Sequence, residues 1–169
     1  MPDFSELFEK ANWQPINFKD NVVIQLDKFP VRNEEVLIAT IEKTNSDWRQ
    51  GFCIDIAGSC EIDGQIFKQG KGVRMLFWED TAPKQIKLKI FTKKEFVWIE
   101  NIWEQINYYS LGASSGKSIT KESKSVESRH HGAAMIVEEI KNGRRYRCND
   151  GHPDENFDDI VFTVQRISK

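Results

Sequence analysis

The sequence predicts an all-β protein, a two-sheet antiparallel β-sandwich or jelly roll with a short N-terminal helix. Three observations predict it. Apolar residues recur with period two over about ten short segments, turn residues separate those segments at frequent intervals, and strand–helix alternation is missing. A doubly wound sheet needs that alternation, so a parallel architecture is disfavoured.

The helix opens the chain. In "MPDFSELFEKAN", Asp3 is placed to cap the N-terminus, with Glu6 three residues on, and Phe4, Leu7, Phe8 and Ala11 share one face. From there the period changes. "NVVIQLD", "EEVLIATIEK", "GFCIDIAG", "SCEIDGQIF" and "VRMLFWED" each alternate or run apolar over strand length. Phe29-Pro30, Asp63-Gly64, Gly70-Lys71-Gly72 and Ala82-Pro83 read as the turns between strands. Asp63-Gly64, flanked by Ile62 and Ile66, fits a type I′ hairpin. "QIKLKIFT" puts Ile86, Leu88 and Ile90 on one face and Lys87 and Lys89 on the other, the pattern of a half-buried antiparallel strand. "EFVWIENIW" is apolar on both faces and reads as a central, largely buried strand. "GAAMIVEEI", "RRYRCN" and "DIVFTVQRI" complete the set, with Lys141-Asn142-Gly143 joining the first two. Between them, the polar, serine- and lysine-rich stretch Ser110–Gly132 reads as a long mobile loop.

The 169 residues are most simply one domain, able to bury roughly 70% of the unfolded surface. The net charge of −2 gives no reason to expect nucleic acid or an anionic membrane as partner. No apolar run reaches the length of a membrane span, and the acidic, amphipathic N-terminus is unlike a secretory signal. The protein is expected to be cytoplasmic as synthesised, unless it leaves by another export route. Cys53, Cys60 and Cys148 are odd in number and show no C-x-x-C spacing, so buried reduced thiols are expected.

Several apparent motifs give only weak signals of chemistry. "GASSGKS" has three residues, not four, between its first glycine and the Gly-Lys pair, and no apolar helix follows. His130 and His131 are adjacent, and His152 lies in an acidic loop; solvated loop histidines are the expectation. Ser128 and Cys148 sit in no nucleophile elbow. Glu79 and Asp80 form a carboxylate pair that a hydrolase could use, which is the third reading of function. The tryptophans are assigned to the core.

The segment "NDGHPDENFDDIVFTV", Asn149 to Val164, is different. Asp154, Asn156 and Asp158 stand at spacing two, and Asp159 follows directly. Calcium takes six to eight hard oxygen ligands, and alternate residues of a curving loop can turn their oxygens inward. Crowded carboxylates repel until a cation joins them. Asn149 or Asp150 could close the site, with Gly151 and Pro153 shaping the turn. The loop is not an EF-hand: Asp159 stands where glycine is needed and Gln165 where glutamate is needed, and a strand follows. The competing reading is a solvated acidic turn, or one neutralised by Lys141, Arg144, Arg145 and Arg147 on the preceding hairpin.

These residues resemble the C-terminal segment of small bacterial calcium-dependent fucose- and mannose-binding lectins, in which an Asp-x-Asp-aromatic-Asn-Asp run precedes an apolar sandwich strand. The segment is also similar to the Asp-Phe-Asn-Asp run of calcium-binding sandwich domains of bacterial surface proteins. The resemblance covers Asp150–Val164. It places Asp154, Asn156, Asp158 and Asp159 on calcium-binding positions, Phe157 on the intervening aromatic and Asp150 near a further acidic ligand. Asn156 and Asp158 exchange the usual aspartate and asparagine, which keeps oxygen donors and total charge. The resemblance implies a carbohydrate ligand completing the ion's coordination. A noncatalytic calcium-binding module is therefore the leading expectation. A soluble protein-interaction or immunity-type factor, using the acidic and Ser/Lys-rich loops, is the alternative.

Overall fold

The computed structural model describes residues 3–112, 118–152, 154 and 156–167, without the side chains of residues 111, 112, 118 and 119. In chain order the elements are α1 (Phe4–Lys10), β1 (Ile16–Phe18), β2 (Asn21–Ile24), β3 (Asp27–Pro30), β4 (Val36–Thr44), β5 (Arg49–Ile56), β6 (Gly58–Ile62) and β7 (Gln65–Phe67). They continue with β8 (Val73–Trp78), β9 (Gln85–Thr92), β10 (Phe96–Gly112), β11 (Ser118–Glu127), β12 (Ala134–Ile140), β13 (Gly143–Asn149) and β14 (Ile160–Arg166).

The strands form two antiparallel sheets. One runs β1-β2-β12-β13-β14-β4-β9-β6-β7; the other runs β11-β10-β5-β8, with β3 also paired to β10. Alternation decides which side chains meet between them. Leu37, Ile86, Leu88, Tyr146 and Phe162 of the first sheet share one core with Phe29, Phe52, Ile54, Val97 and Ile99 of the second. Phe52 and Phe162 stack across the sheets at 4.3 Å between ring centroids, and Phe162 continues the stack onto Tyr146 at 4.8 Å. This is the expected all-β sandwich.

A polar cross-link joins the sheets within that core. Asp27 of β3 accepts hydrogen bonds from the Tyr146 hydroxyl and from Arg144, both on β13. Burial first, and the Asp27 charge next, hold the Tyr146 phenol well above its ordinary range, so it serves as a donor.

A second apolar cluster lies on the opposite face of the nine-stranded sheet, since Ala134 and Ile136 belong to it while their neighbour Met135 points into the main core. Helix α1 covers this face with Phe4 and Phe8, and Asp3 caps it by accepting from the Ser5 N–H. Phe157, from the acidic loop, joins the same cluster and meets Phe4 edge-on.

Turn chemistry is as the sequence requires at two hairpins. Asp63 and Gly64 take φ of 51° and 80°, both positive as a type I′ turn demands, between β6 and β7. Gly143 opens β13, where a Cβ would sit 2.0 Å from the Val164 carbonyl oxygen, so only glycine fits.

Three expectations are corrected. Of the tryptophans assigned to the core only Trp103 is buried; Trp13 is exposed, and Trp48, Trp78 and Trp98 are half-buried. Phe29-Pro30 is not a turn but the end of β3, with Phe29 opposite Val97 and Pro30 opposite Phe96. The segment Ser110–Gly132 is not structureless: β10 continues to Gly112, and Ser118–Glu127 returns as β11 in register, from Gly112 opposite Ser118 to Trp103 opposite Glu127. On its other side β10 pairs with β5 only as far as Glu104, so beyond that point the pair is a two-stranded ribbon. Backbone hydrogen bonds hold such a ribbon without burying a face, which is why its sequence shows no apolar alternation. Residues 113–117 of "GASSGKS" lie outside the described residues.

Candidate functional site

The acidic loop spans the gap between β13 and β14, and its base extends both ladders. The Asp159 N–H donates to the Cys148 carbonyl, and the Asn45 N–H donates to the Asp159 carbonyl, each at 3.0 Å. Asn149, fully buried, pins the loop's interior. Its Nδ2 donates to the Asp154 carbonyl at 2.8 Å, its Oδ1 accepts from the Phe157 N–H at 2.8 Å, and its own carbonyl accepts from Asn101 Nδ2 at 2.9 Å. Phe157 takes a positive φ of 51°, which folds the chain back and sends its ring under α1.

Of the five residues expected as ligands, the structure buries Asp150 and Asp159 and half-buries Asp154. Asp150 is fully buried: its Oδ2 accepts from Ser46 Oγ at 2.6 Å and Gln50 Nε2 at 2.9 Å, and its Oδ1 accepts from the His152 N–H. Asp159 is 4% exposed and accepts from the Asp150 N–H at 2.9 Å. Burial, then the charges of Asp150 and Asp154, push the Asp159 carboxyl up to about 8, against the lowering effect of that backbone N–H. Asp154 is half-buried and accepts from the Asn156 N–H. The other two are placed differently. Asp158 turns to Asn45 Nδ2, at 2.9 Å, and Asn156 is exposed. Gly151 lies against Trp103, and His152 stacks on Trp48 at 3.9 Å. Pro153 falls outside the described residues.

The arginines do not supply the positive charge. Arg144 bonds Glu139 and Asp27, Arg145 bonds Glu42, and Arg147 bonds Glu138. Register explains part of it: across the β12–β13 hairpin Glu139 stands opposite Arg144 and pairs with it, Glu138 reaches the diagonal Arg147, and Arg145, opposite Glu138 at 3.7 Å, bonds Glu42 of β4 at 2.7 Å. The Glu139–Arg144 part of that pattern, in "EEIKNGRR", is legible in the sequence. Among the described residues no cation comes within 4 Å of Asp150, Asp154, Asp158 or Asp159.

The donor set suits a hard cation: carboxylates and amide oxygens without sulfur. One atom beside it is orphaned. Gln50 is fully buried, and its Nε2 serves Asp150 and the Trp48 carbonyl, while its Oε1 has no hydrogen-bond partner. The loop's described carboxylates do not bring three oxygens within 4.8 Å of one another.

One group among the described residues does: Cys53, Asp55 and Glu100, on the outer face of the five-stranded sheet. Its charges are already matched. Arg74 donates to Asp55 and to Glu100, both at 2.9 Å, and Arg129 Nε lies 2.8 Å from Glu100. Burial, then Asp55, drive the Cys53 thiol far above its ordinary range and keep it protonated, a poor metal ligand. The arrangement is an ion-pair network over an inert thiol. Cys60 and Cys148 are likewise free and buried.

The remaining candidates are scattered. Glu79 and Asp80 are exposed in the turn after β8, with Asp80 held by Arg49 at 2.7 Å. His130 Nε2 lies 3.2 Å from a Glu127 carboxylate oxygen, and its ring is tilted over Trp103. Sequence reasoning missed Ser46, Gln50 and Asn45, which lie about a hundred residues from the loop they serve, and no local pattern marks them.

Compared with protein families, curated proteins and solved structures, the chain finds no match. Fold and site together define a two-sheet antiparallel sandwich with an acidic loop in which Asp150 and Asp159 are buried. Among the described residues no helix is long and apolar enough to cross a membrane.

Proposed function

We propose that this protein is a noncatalytic β-sandwich binding module whose loop 149–159 holds calcium. One observation carries the reading. Asp150 and Asp159, both nearly fully buried, share a loop in which no cation of the described residues reaches them. Burying carboxylates without a positive partner is costly, and a divalent ion offsets that cost. Asp150, Asp154 and Asp159 would supply carboxylate oxygens, with Asn156, Asp158 and the orphaned Gln50 Oε1 as further donors. Binding would draw the loop's carboxylates together and order it. Carbohydrate is the ligand class that the resemblance of Asp150–Val164 to calcium-dependent lectins implies, with sugar hydroxyls completing the ion's coordination.

Thermal unfolding of chelator-treated protein, with and without millimolar calcium, tests this. A ligand confined to the folded state stabilises it by about 2.7 kcal/mol at a hundredfold excess over Kd. The midpoint should rise, and the rise should vanish in Asp154→Ala combined with Asp158→Ala, whose side chains are at most half-buried. An unchanged midpoint in the unaltered protein removes the calcium reading, and the carbohydrate reading with it.

A second reading, a protein-interaction module, has one observation in its favour. The β10–β11 ribbon leaves Tyr108 70% exposed and Tyr109 44% exposed on a two-stranded arm. Isolated two-stranded ribbons are marginal in water, so a partner would stabilise this one. Under that reading, Tyr108→Ser with Tyr109→Ser abolishes partner binding and leaves the calcium response intact; retained binding would count against the arm.

A further inference from the structure

The outer face of the five-stranded sheet carries a cross-strand row. Arg74 of β8 stands opposite Asp55 of β5, Asp55 opposite Trp98 of β10, and Trp98 opposite Lys28 of β3. A cavity of about 410 Å³ opens over the Arg74–Asp55–Trp98 part of this row, with Asp55 and Arg74 on one side, Phe96 and Trp98 on the other, and Gln69 and Lys94 among its lining. That volume lies in the range of small-molecule sites, which combine aromatic walls with a few placed charges.

The charge balance indicates what the cavity takes. Arg74 and Arg129 are matched by Asp55 and Glu100. Lys28 and Lys94 are not matched: among the described residues neither has a carboxylate within 4 Å. Instead, the Lys28 ammonium sits 4.3 Å from the Phe96 ring centroid and 5.5 Å from that of Trp98, and the Lys94 ammonium 5.6 Å from Phe96. A ring face attracts a cation only weakly at an exposed site. The cavity's lining therefore carries one unmatched positive charge, Lys94, while Lys28 sits against the same aromatic pair without lining the cavity.

We propose that this cavity binds a small organic anion, a flat ring bearing a phosphate or carboxylate. The ring lies against Phe96 and Trp98, and the anionic group meets the Lys94 ammonium. Both parts are needed: Lys94 attracts any anion, and the aromatic wall selects one attached to a ring. The site is separate from the acidic loop and does not depend on calcium.

The test is a titration of the full chain with phenyl phosphate, read by the Trp98 indole N–H resonance, with inorganic phosphate, benzoate and phenol as comparison probes. The expected result is a saturable shift for phenyl phosphate and benzoate, with phenol and inorganic phosphate each at least about tenfold weaker. Affinity should fall with salt. It should also drop at least about tenfold in Lys94→Glu, which sits in an exposed turn and leaves the core untouched, and again in Trp98→Ala. No saturable shift with phenyl phosphate or benzoate up to about 5 mM overturns the proposal, as does equal affinity for inorganic phosphate or full binding by Lys94→Glu.

Discussion

Replacing Asp159 with asparagine should make the calcium-free protein more stable at alkaline pH, a reversal of the usual effect of losing a buried native residue. In the unfolded chain this carboxyl ionises near 3.8, and in the folded protein burial and the charges of Asp150 and Asp154 hold it to about 8. Below the lower value both states carry the proton, and stability is unaffected. Between the two, the unfolded chain releases a proton that the folded chain keeps, so stability falls as pH rises, by about 1.4 kcal/mol per pH unit. Above the upper value the loss is complete, on the order of 6 kcal/mol. Asparagine keeps an oxygen to accept from the Asp150 N–H but cannot ionise, so the variant escapes this loss. Urea unfolding in chelator at several pH values between 4 and 9 measures it, and the difference between the two proteins cancels the other titrating groups. The gap should open above about pH 4 in favour of the variant and level off near pH 8. Calcium should close it, because the ion replaces the proton as the neutralising charge. Parallel curves in chelator, or a variant less stable at pH 9, would refute the assignment of a proton to this buried carboxyl.

Three further outcomes are expected. Asn149→Ala strips partners from the Phe157 N–H and the Asp154 carbonyl inside the loop, and should cost about 2–3 kcal/mol in urea unfolding while weakening the calcium response. Removing both Arg74 and Arg129 leaves Glu100, 1% exposed, without a cation and should cost about 3–5 kcal/mol, whereas Glu100→Gln leaves two half-exposed arginines that water can serve and should cost about 1–2 kcal/mol; equal costs in calorimetry would show that Glu100 is not effectively buried. Gly143→Ala forces a Cβ to 2.0 Å from the Val164 carbonyl and should cost about 3 kcal/mol or prevent folding, so a thermal midpoint within a few degrees of the parent would contradict the β13–β14 register.

Two structural features link these sites to the scaffold. Phe157 ties the acidic loop to α1 through Phe4, so loop and helix should loosen together when either is perturbed. The Asp27–Tyr146–Arg144 group fastens β3 to β13 across the sandwich, a polar bond inside an otherwise apolar core. Satisfied groups of this kind cost little when complete and much when one member is lost, which concentrates sensitivity at few positions.

What the sequence determined by itself is the local structure that side chains enforce along one strand or turn. Ile86, Leu88 and Ile90 are buried, with Lys87 exposed, because a pleated strand sends alternate residues to opposite faces. Asp63-Gly64 turns as expected because few residue pairs tolerate two positive φ values. The helix cap at Asp3 and the burial of all three cysteines follow from equally local chemistry. The acidic loop was legible as a crowd of carboxylates, and the pairing of Arg144 with Glu139 and Arg147 with Glu138 lies within one hairpin, whereas Arg145 finds Glu42 of β4 only through the fold. Tertiary structure alone decided the rest. The β10–β11 ribbon is held by backbone bonds that leave no side-chain pattern, so its polar sequence gave no sign of strand. The carboxylate of Asp150 is met by Ser46 and Gln50 because β14 inserts between β13 and β4 and brings the β4–β5 turn over the loop. The row Arg74–Asp55–Trp98–Lys28 joins four strands whose order follows from burying two sheets against each other, and residues so far apart in the chain become neighbours only through that shared core.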